Sequence, residues 1–250
     1  MDYPYVNVEE TFDALVRDYG GTANILRDVL PKDVSFPNAD YVFHSENVVA
    51  ELKCMMDDNS KNEGNQLKLK SAIDQYFDED KIRTKEMTED TWKNFPKDLQ
   101  IRVSKIFSHS IHARVKRANI QIRETKRNLN LDRYAGVLII ANDGLTTMPP
   151  AAFIDATLRD ILDHKRESIN LFIYLTVNLL ATVEGSPYPT VFWMPMSMEE
   201  PLKVSDTFLK QLWTTWGFMV NKRMGITHSY SHQIKDDDMG KFWQARHIKK

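Results

Sequence analysis

The 250-residue sequence has one cysteine, Cys54, and no apolar run near the roughly 20 residues that a bilayer-spanning helix needs. One cysteine excludes an intramolecular disulfide, and a reducing cytoplasm is the simplest location. The opening residues, MDYPYVNVEE, contain neither a basic leader nor an apolar segment, so no secretion signal is predicted. We therefore predict a cytoplasmic protein with no membrane partner.

Common enzyme motifs are absent as well. The chain contains no GxGxxG, GxxxxGK[ST] or GxSxG, so dinucleotide, P-loop nucleotide and serine-hydrolase functions lack support. His228 and His232 form an HxxxH pair, and His109 and His112 form HxxH. Zinc would need further cysteine or carboxylate ligands beside the HxxxH pair, and no metal is expected there.

Positive and negative charges nearly balance over the whole chain, but positive charge is concentrated in one segment. Between Arg102 and Arg133, nine Lys and Arg residues stand against two acidic ones, which leaves this segment at +7 and the rest at −9 of a net −2. Such a segment indicates contact with a polyanion, although a solvated helix face is the ordinary alternative. The residues predicted to contact nucleic acid are Arg114, Lys116, Arg117, Gln121 and Arg123.

Apolar periodicity predicts helices and strands in alternation. Helices are expected over residues 8–19 and 99–129 and in ANILRDVL, QLKLKSAIDQYF, AAFIDATLRDILDH and SDTFLKQLWTTWGFMV. Strands are expected in ADYVF, VVAELKC, AGVLIIA, INLFIYLTVN and TVFWMP. The long helix has a candidate break at residues 108–110, and the charged residues 78–98 suggest an exposed insertion. This order is typical of an α/β sheet with helices on both faces.

ADYVF and VVAELKC, separated by a short polar break, predict a β-hairpin. Side chains alternate along a strand, so Glu51 and Lys53 share one face. A loop at residues 45–46 places Asp40 opposite Glu51, and a loop at residues 46–47 places it opposite Lys53. A three-residue loop would send Asp40 to the other face.

With a two-residue loop, the carboxylates of Asp40 and Glu51 lie within cross-strand reach, and their repulsion raises a pKa. A divalent cation removes that conflict, and Mg²⁺ prefers such hard oxygen ligands. The backbone carbonyl of Leu52 would add a third oxygen. Lys53 would orient an attacking water or stabilise developing charge. The alternative is an edge hairpin with a surface Glu–Lys pair of little energetic value.

Asp40, a hairpin and then Glu51–Leu52–Lys53 in an apolar strand resemble the signature of the PD-(D/E)xK nuclease superfamily. The proline departs from the family pattern, because Pro37 lies three residues before Asp40. The resemblance covers a little over half the chain, residues 8–141. It implies a restriction-endonuclease-like mixed central sheet with helices on both faces.

The same resemblance implies roles for individual residues. Asp40, Glu51 and Lys53 would be catalytic, and Asp40, Glu51 and the Leu52 carbonyl would bind Mg²⁺ or Mn²⁺. Many family members also carry an acidic residue on the first helix. The candidates here are Glu9, Glu10 and Asp13, of which Glu10 is preferred.

We therefore expect one nuclease domain over residues 1–250, with a core of about 8–180 and a C-terminal helical extension of about 200–250. The expected activity is metal-dependent phosphodiester hydrolysis, of the endonuclease or exonuclease kind, with DNA favoured over RNA. The alternative is a catalytically silent module of the same fold that binds nucleic acid or protein. Strandedness, sequence specificity and homo-oligomer formation stay open.

Overall fold

A computed structural model describes residues 3–19, 22–55, 63–74, 97–144, 150–180, 191–199, 203–227 and 246–248. The helices are α1 (Val8–Asp18), α2 (Leu26–Val29), α3 (Glu63–Asp74), α4 (Lys97–Asn128), α5 (Pro150–Asp163) and α6 (Asp206–Met224). The strands are β1 (Ala23–Ile25), β2 (Tyr41–Phe43), β3 (Val48–Met55), β4 (Ala135–Asn142), β5 (Leu171–Thr176), β6 (Leu179–Leu180), β7 (Trp193–Ser197) and β8 (Arg246–His247).

The main sheet has six strands in the order β1-β2-β3-β4-β5-β7. Strands β3, β4 and β5 are parallel, whereas β1, β2 and β7 join antiparallel to their neighbours. Every residue of β4 and β5 is buried, as expected for parallel strands covered on both faces. The prediction of an α/β fold is confirmed, with a mixed central sheet. A separate pair, β6 and β8, lies outside this sheet.

Two apolar cores lie on opposite faces of the main sheet. One core joins α4 and α5 to side chains such as Val49, Leu138 and Phe172. The other joins α1 and α6 to the side chains that alternate with these, and in it Trp216 stacks on Phe12 with ring centroids 4.3 Å apart. None of the described helices combines the length and apolarity needed to cross a membrane.

The ends of α6 follow simple capping chemistry. The Ser205 hydroxyl accepts a hydrogen bond from Phe208 N at 3.1 Å, so Ser205 caps the amino end of the helix. The helix ends at Gly225, whose φ of 69° is left-handed and costs glycine little. Together with β7, α6 extends the packed structure past residue 180.

Two local predictions are wrong. Residues 23–25 were expected in a helix with ANILRDVL, but they form β1, because the free edge of β2 offers hydrogen-bond partners that a helix would leave unused. The candidate break in the long helix is absent, and α4 continues through Ser108, whose hydroxyl donates to Lys105 O at 3.2 Å. The predicted insertion falls almost entirely outside the described residues.

Candidate metal centre

The β2–β3 hairpin has one of the two registers that place Asp40 on the face of Glu51. Tyr41 pairs with Ala50 and Phe43 with Val48, so the next residues along, Asp40 and Glu51, stand opposite each other. This is the register expected for a loop at residues 45–46. At the turn, Asn47 N donates to His44 O at 3.3 Å, and Asn47 adopts a φ of 53°.

Asp40 is anchored to β3 beyond the last paired residues of the hairpin. Its Oδ2 accepts a hydrogen bond from Leu52 N at 2.9 Å. The N–H and C=O of one strand residue point to the same side, so the Leu52 carbonyl also faces Asp40, past the Tyr41–Ala50 pair. A carboxylate and a backbone oxygen therefore converge at the open end of β2.

Glu51 is the most unusual carboxylate of this group, because its side chain is 0% exposed. Its Oε1 accepts a hydrogen bond from Lys53 Nζ, but its Oε2 is buried with no hydrogen-bond partner in the described structure. Burial and then the negative charge of Asp40 raise the pKa of Glu51 to about 8. A buried carboxylate oxygen without a partner is costly unless a proton or a cation compensates it.

The pKa of Asp40 is also raised, because its burial outweighs the opposing effects of the Leu52 amide and the Lys53 ammonium. Both carboxyl groups therefore bind protons more readily than free side chains do. A cation placed between them would favour their charged forms and reverse this tendency.

Lys53 is held from two sides. Its Nζ donates to Glu51 Oε1 and to Gln121 Oε1, the latter at 2.9 Å. Gln121 in turn donates through Nε2 to Asn38 O at 2.8 Å. One turn further along α4, Thr125 Oγ1 accepts from Ala39 N at 2.7 Å. Helix α4 thus positions both the lysine and the segment that leads into Asp40.

The predicted nucleic-acid contacts lie along this same helix. Lys116, Arg117 and Arg123 are exposed, whereas Arg114 is half-buried and donates to Ser110 O at 3.4 Å. Arg123 also forms an ion pair with the neighbouring Glu124, at 2.9 Å. Arg117 is one helical turn before Gln121, so the two side chains share a stripe. Of these cations, Arg117 therefore lies on the stripe of α4 that reaches Lys53 through Gln121.

The three acidic candidates of α1 have different surroundings in the structure. Glu10 is exposed and lies 4.0 Å from Arg223 of α6. Asp13 is buried, where it accepts hydrogen bonds from Arg27 and from the Tyr41 hydroxyl. Glu9 is the α1 residue whose charge raises the pKa of Asp40. Of the three candidates, Glu9 is thus the one whose charge acts on Asp40.

Asp143, at the end of β4, belongs to a structural network. Its Oδ2 accepts from the Tyr5 hydroxyl at 2.6 Å, and its Oδ1 accepts from Asn178 Nδ2. Asn178 also bonds both backbone groups of Val6, at 2.9 Å each. This network ties the segment before α1 to the ends of the central strands.

A second cluster of ligand-type side chains lies between α4 and α5. It consists of His112, Asp160 and His164, whose ligand atoms all lie within 4.8 Å of one another. In the sequence, His112 stands out only as part of an HxxH pair. The overlooked signal was Asp160-x-x-x-His164, which puts both side chains on one face of a helix end. The predicted HxxxH pair of His228 and His232 lies outside the described residues.

In comparisons with known proteins, no family model, curated protein or solved structure matched this chain. Function is therefore inferred from the chemistry of the side chains described above.

Proposed function

We propose that this chain is a metal-dependent nuclease of the PD-(D/E)xK type, with a restriction-endonuclease-like fold and DNA as its substrate. The observation that carries the proposal is Glu51 Oε2, a buried carboxylate oxygen with no hydrogen-bond partner among the described residues. It lies on a strand where Asp40 stands opposite and Lys53 adjoins. Natural cores rarely keep such an atom without a compensating ligand.

The residues present fit a hard divalent cation. Asp40, Glu51 and the Leu52 carbonyl offer oxygens only, and Asp40 is partly exposed, which leaves a route from solvent. Mg²⁺ and Mn²⁺ suit carboxylate and carbonyl oxygens and keep part of their water shell. Such an ion would supply positive charge for the phosphate and lower the pKa of a bound water.

Lys53 is placed to act on the reacting phosphate. Its side chain is 17% exposed, and its Nζ is directed by Glu51 and Gln121. A fixed ammonium in a partly dry site stabilises the negative charge that develops in the transition state more than it stabilises the ground state. Gln121 touches no reacting atom in this scheme and is a positioning residue.

The positive charge of α4 supports a nucleic-acid substrate. Lys116 and Arg117 are exposed on the helix that contacts Lys53 through Gln121. Contacts from such side chains to phosphates give affinity that is independent of base sequence. The substrate backbone would therefore lie along α4, with its scissile phosphate at the carboxylates.

The test is a cleavage assay on single- and double-stranded DNA and RNA with Mg²⁺ or Mn²⁺. We expect Glu51→Gln and Asp40→Asn each to reduce turnover by about three orders of magnitude or more, because each removes a charged ligand. Asp155→Asn is the matched control, since Asp155 is an exposed carboxylate paired with Arg159. Circular dichroism of each variant verifies folding.

Two results would contradict the proposal. Cleavage that persists in the Asp40→Asn/Glu51→Gln double variant, or in excess chelator, would mean that these carboxylates do not act. Binding of nucleic acid without cleavage under any metal would instead support the silent binding module.

A further inference from the structure

The second cluster joins α4 to α5, a pair of helices that the candidate metal centre does not join. His112 is on α4, Asp160 is on α5, and His164 directly follows the end of α5. His112 Nδ1 contacts Asp160 Oδ1, and His164 Nδ1 lies 3.2 Å from the same oxygen. The two imidazole rings meet edge to face, with centroids 4.8 Å apart. Two nitrogens and one oxygen thus lie within 4.8 Å of one another.

Arg166 engages one oxygen of Asp160, and the two imidazoles contact the other. Asp160 is buried, and Arg166 Nε lies 3.3 Å from its Oδ2. Arg166 thereby orients the carboxylate, a role usually filled by a hydrogen bond behind a metal ligand. The cluster also lies at the carboxyl end of α5, where the helix dipole favours positive charge.

The imidazoles leave the site open to solvent. His112 is 37% exposed and His164 is 51% exposed, while the carboxylate between them is 7% exposed. An ion could therefore reach the cluster without unfolding α4 from α5. Water would complete its coordination, as in zinc sites with three protein ligands.

The donor set selects a class of metal. Two imidazole nitrogens with one carboxylate suit Zn²⁺ and its neighbours, whereas Mg²⁺ prefers oxygen alone. Zinc bonds of about 2.0–2.1 Å in a tetrahedron imply ligand atoms about 3.3 Å apart. The 3.2 Å between His164 Nδ1 and Asp160 Oδ1 agrees with that spacing, whereas His112 Nδ1 contacts Oδ1 more closely and would have to move apart from it to admit the ion.

We propose that His112, Asp160 and His164 form a binding site for a Zn²⁺-class transition-metal ion that clamps α4 to α5, separate from the Mg²⁺ centre. His112 and Gln121 are nine residues apart on the continuous helix α4, about 13 Å along its axis. The clamp would fix the helix whose Gln121 holds Lys53. Metal binding here does not depend on nuclease activity.

Titration of the chelator-treated full-length protein with Co²⁺ and Zn²⁺ tests the site. We expect one equivalent of Co²⁺ to give the visible absorption of an imidazole-bound ion and Zn²⁺ to displace it. The melting temperature should rise with Zn²⁺, because the ion binds only the folded arrangement. His164→Ala should weaken Zn²⁺ binding about 100-fold or more, since it removes one of three protein ligands.

Two controls make the result specific. His109→Ala removes an exposed imidazole one turn before His112 and should leave affinity and melting shift unchanged. Glu51→Gln should also leave them unchanged, which separates this site from the nuclease proposal.

Because His164 is half-exposed, the His164→Ala variant should still fold, and its metal-free melting curve checks this. Absence of binding in the parent protein would overturn the proposal. Unchanged Zn²⁺ affinity in His164→Ala would overturn it too, because the ion would then sit on other residues such as the HxxxH pair.

Discussion

Glu51 and Asp160 are two buried carboxylates in the same layer of the protein, on the side of the sheet covered by α4 and α5. Asp160 has a cationic partner, Arg166, on one oxygen and imidazoles on the other. Glu51 has Lys53 on one oxygen and, within the part of the chain that the structure describes, no hydrogen-bond partner on the other, with a second carboxylate opposite. The negative charge of the carboxylate is therefore compensated by its neighbours at Asp160 but only partly compensated at Glu51.

The difference between the two sites shows how neighbours select a cation. The strand pair surrounds Glu51 with oxygens, which suits a hard ion that keeps its water. The helix pair surrounds Asp160 with nitrogen donors, which suits a borderline transition metal. Burial raises the free-energy cost of a bare charge at both sites, but the neighbouring side chains decide how that cost is met.

The largest expected effect comes from substituting one residue of each site and measuring both functions in both variants. Glu51→Gln should lower nuclease turnover about 1000-fold or more while Zn²⁺ affinity stays within about twofold. His164→Ala should do the reverse, with turnover in Mg²⁺ changed less than about threefold and Zn²⁺ affinity lowered about 100-fold. Parallel turnover assays and Co²⁺ spectra measure both. Loss of both functions in either variant would show that the sites are not independent.

Stability should respond in opposite directions at the two carboxylates. The pKa of Glu51 is about 8 in the folded chain against an ordinary 4.5, so the folded state binds the proton more tightly. The metal-free free energy of unfolding should therefore fall as pH rises from about 4.5 to 8. Glu51→Gln should remove most of this fall and stabilise the protein at pH 9 by about 2–4 kcal/mol.

Asp160→Asn should instead destabilise the metal-free protein at pH 7 by about 1–3 kcal/mol, because Arg166, 12% exposed, loses its anionic partner. Urea denaturation with chelator measures both variants at pH 5, 7 and 9. The expected contrast between the two carboxylates is contradicted if Glu51→Gln leaves the pH dependence of the free energy of unfolding unchanged. It is also contradicted if Asp160→Asn stabilises the fold.

A smaller effect tests the contact between α4 and the carboxylate pair. Gln121→Ala should reduce turnover about tenfold with little change in substrate affinity, because Lys53 loses one of its two anchors. Gln121→Glu should retain more activity than alanine, since an oxygen acceptor for Lys53 is restored. Steady-state kinetics separates the two parameters. A rise in KM alone would assign Gln121 to substrate binding, which is the role predicted for it from the sequence.

The smallest expected effect concerns the exposed cations of α4. Arg117→Glu should weaken DNA binding and make the slope of log affinity against log salt shallower by about one, the loss of one phosphate contact. Arg223→Glu, on the opposite face of the sheet, is the control. Fluorescence anisotropy over a salt series in Ca²⁺ measures both. Equal salt slopes for the two variants would show that the exposed cations of α4 are only solvated and do not contact DNA.

Much of the candidate metal centre could be predicted because it depends on local order. Alternation along VVAELKC puts Glu51 and Lys53 on one face, and a two-residue loop makes Asp40 face them. Helical spacing also placed Gln121 on the same stripe of α4 as Arg117. The role predicted for Gln121 was a nucleic-acid contact and not an anchor for Lys53. Local pattern failed at residues 23–25, where pairing with the edge of β2 overrode a helical sequence.

The sequence by itself determined which side chains share a strand face or a helix stripe, because covalent geometry sets those periods of two and 3.6 residues. Only the tertiary structure decided which loop register the hairpin took, that Glu51 Oε2 lost water without gaining a partner, and that Gln121 reached Lys53. It also brought His112 to Asp160 across 48 positions of the chain. These contacts arise from the packing of helices on a sheet, and no local period encodes which distant residues that packing will join.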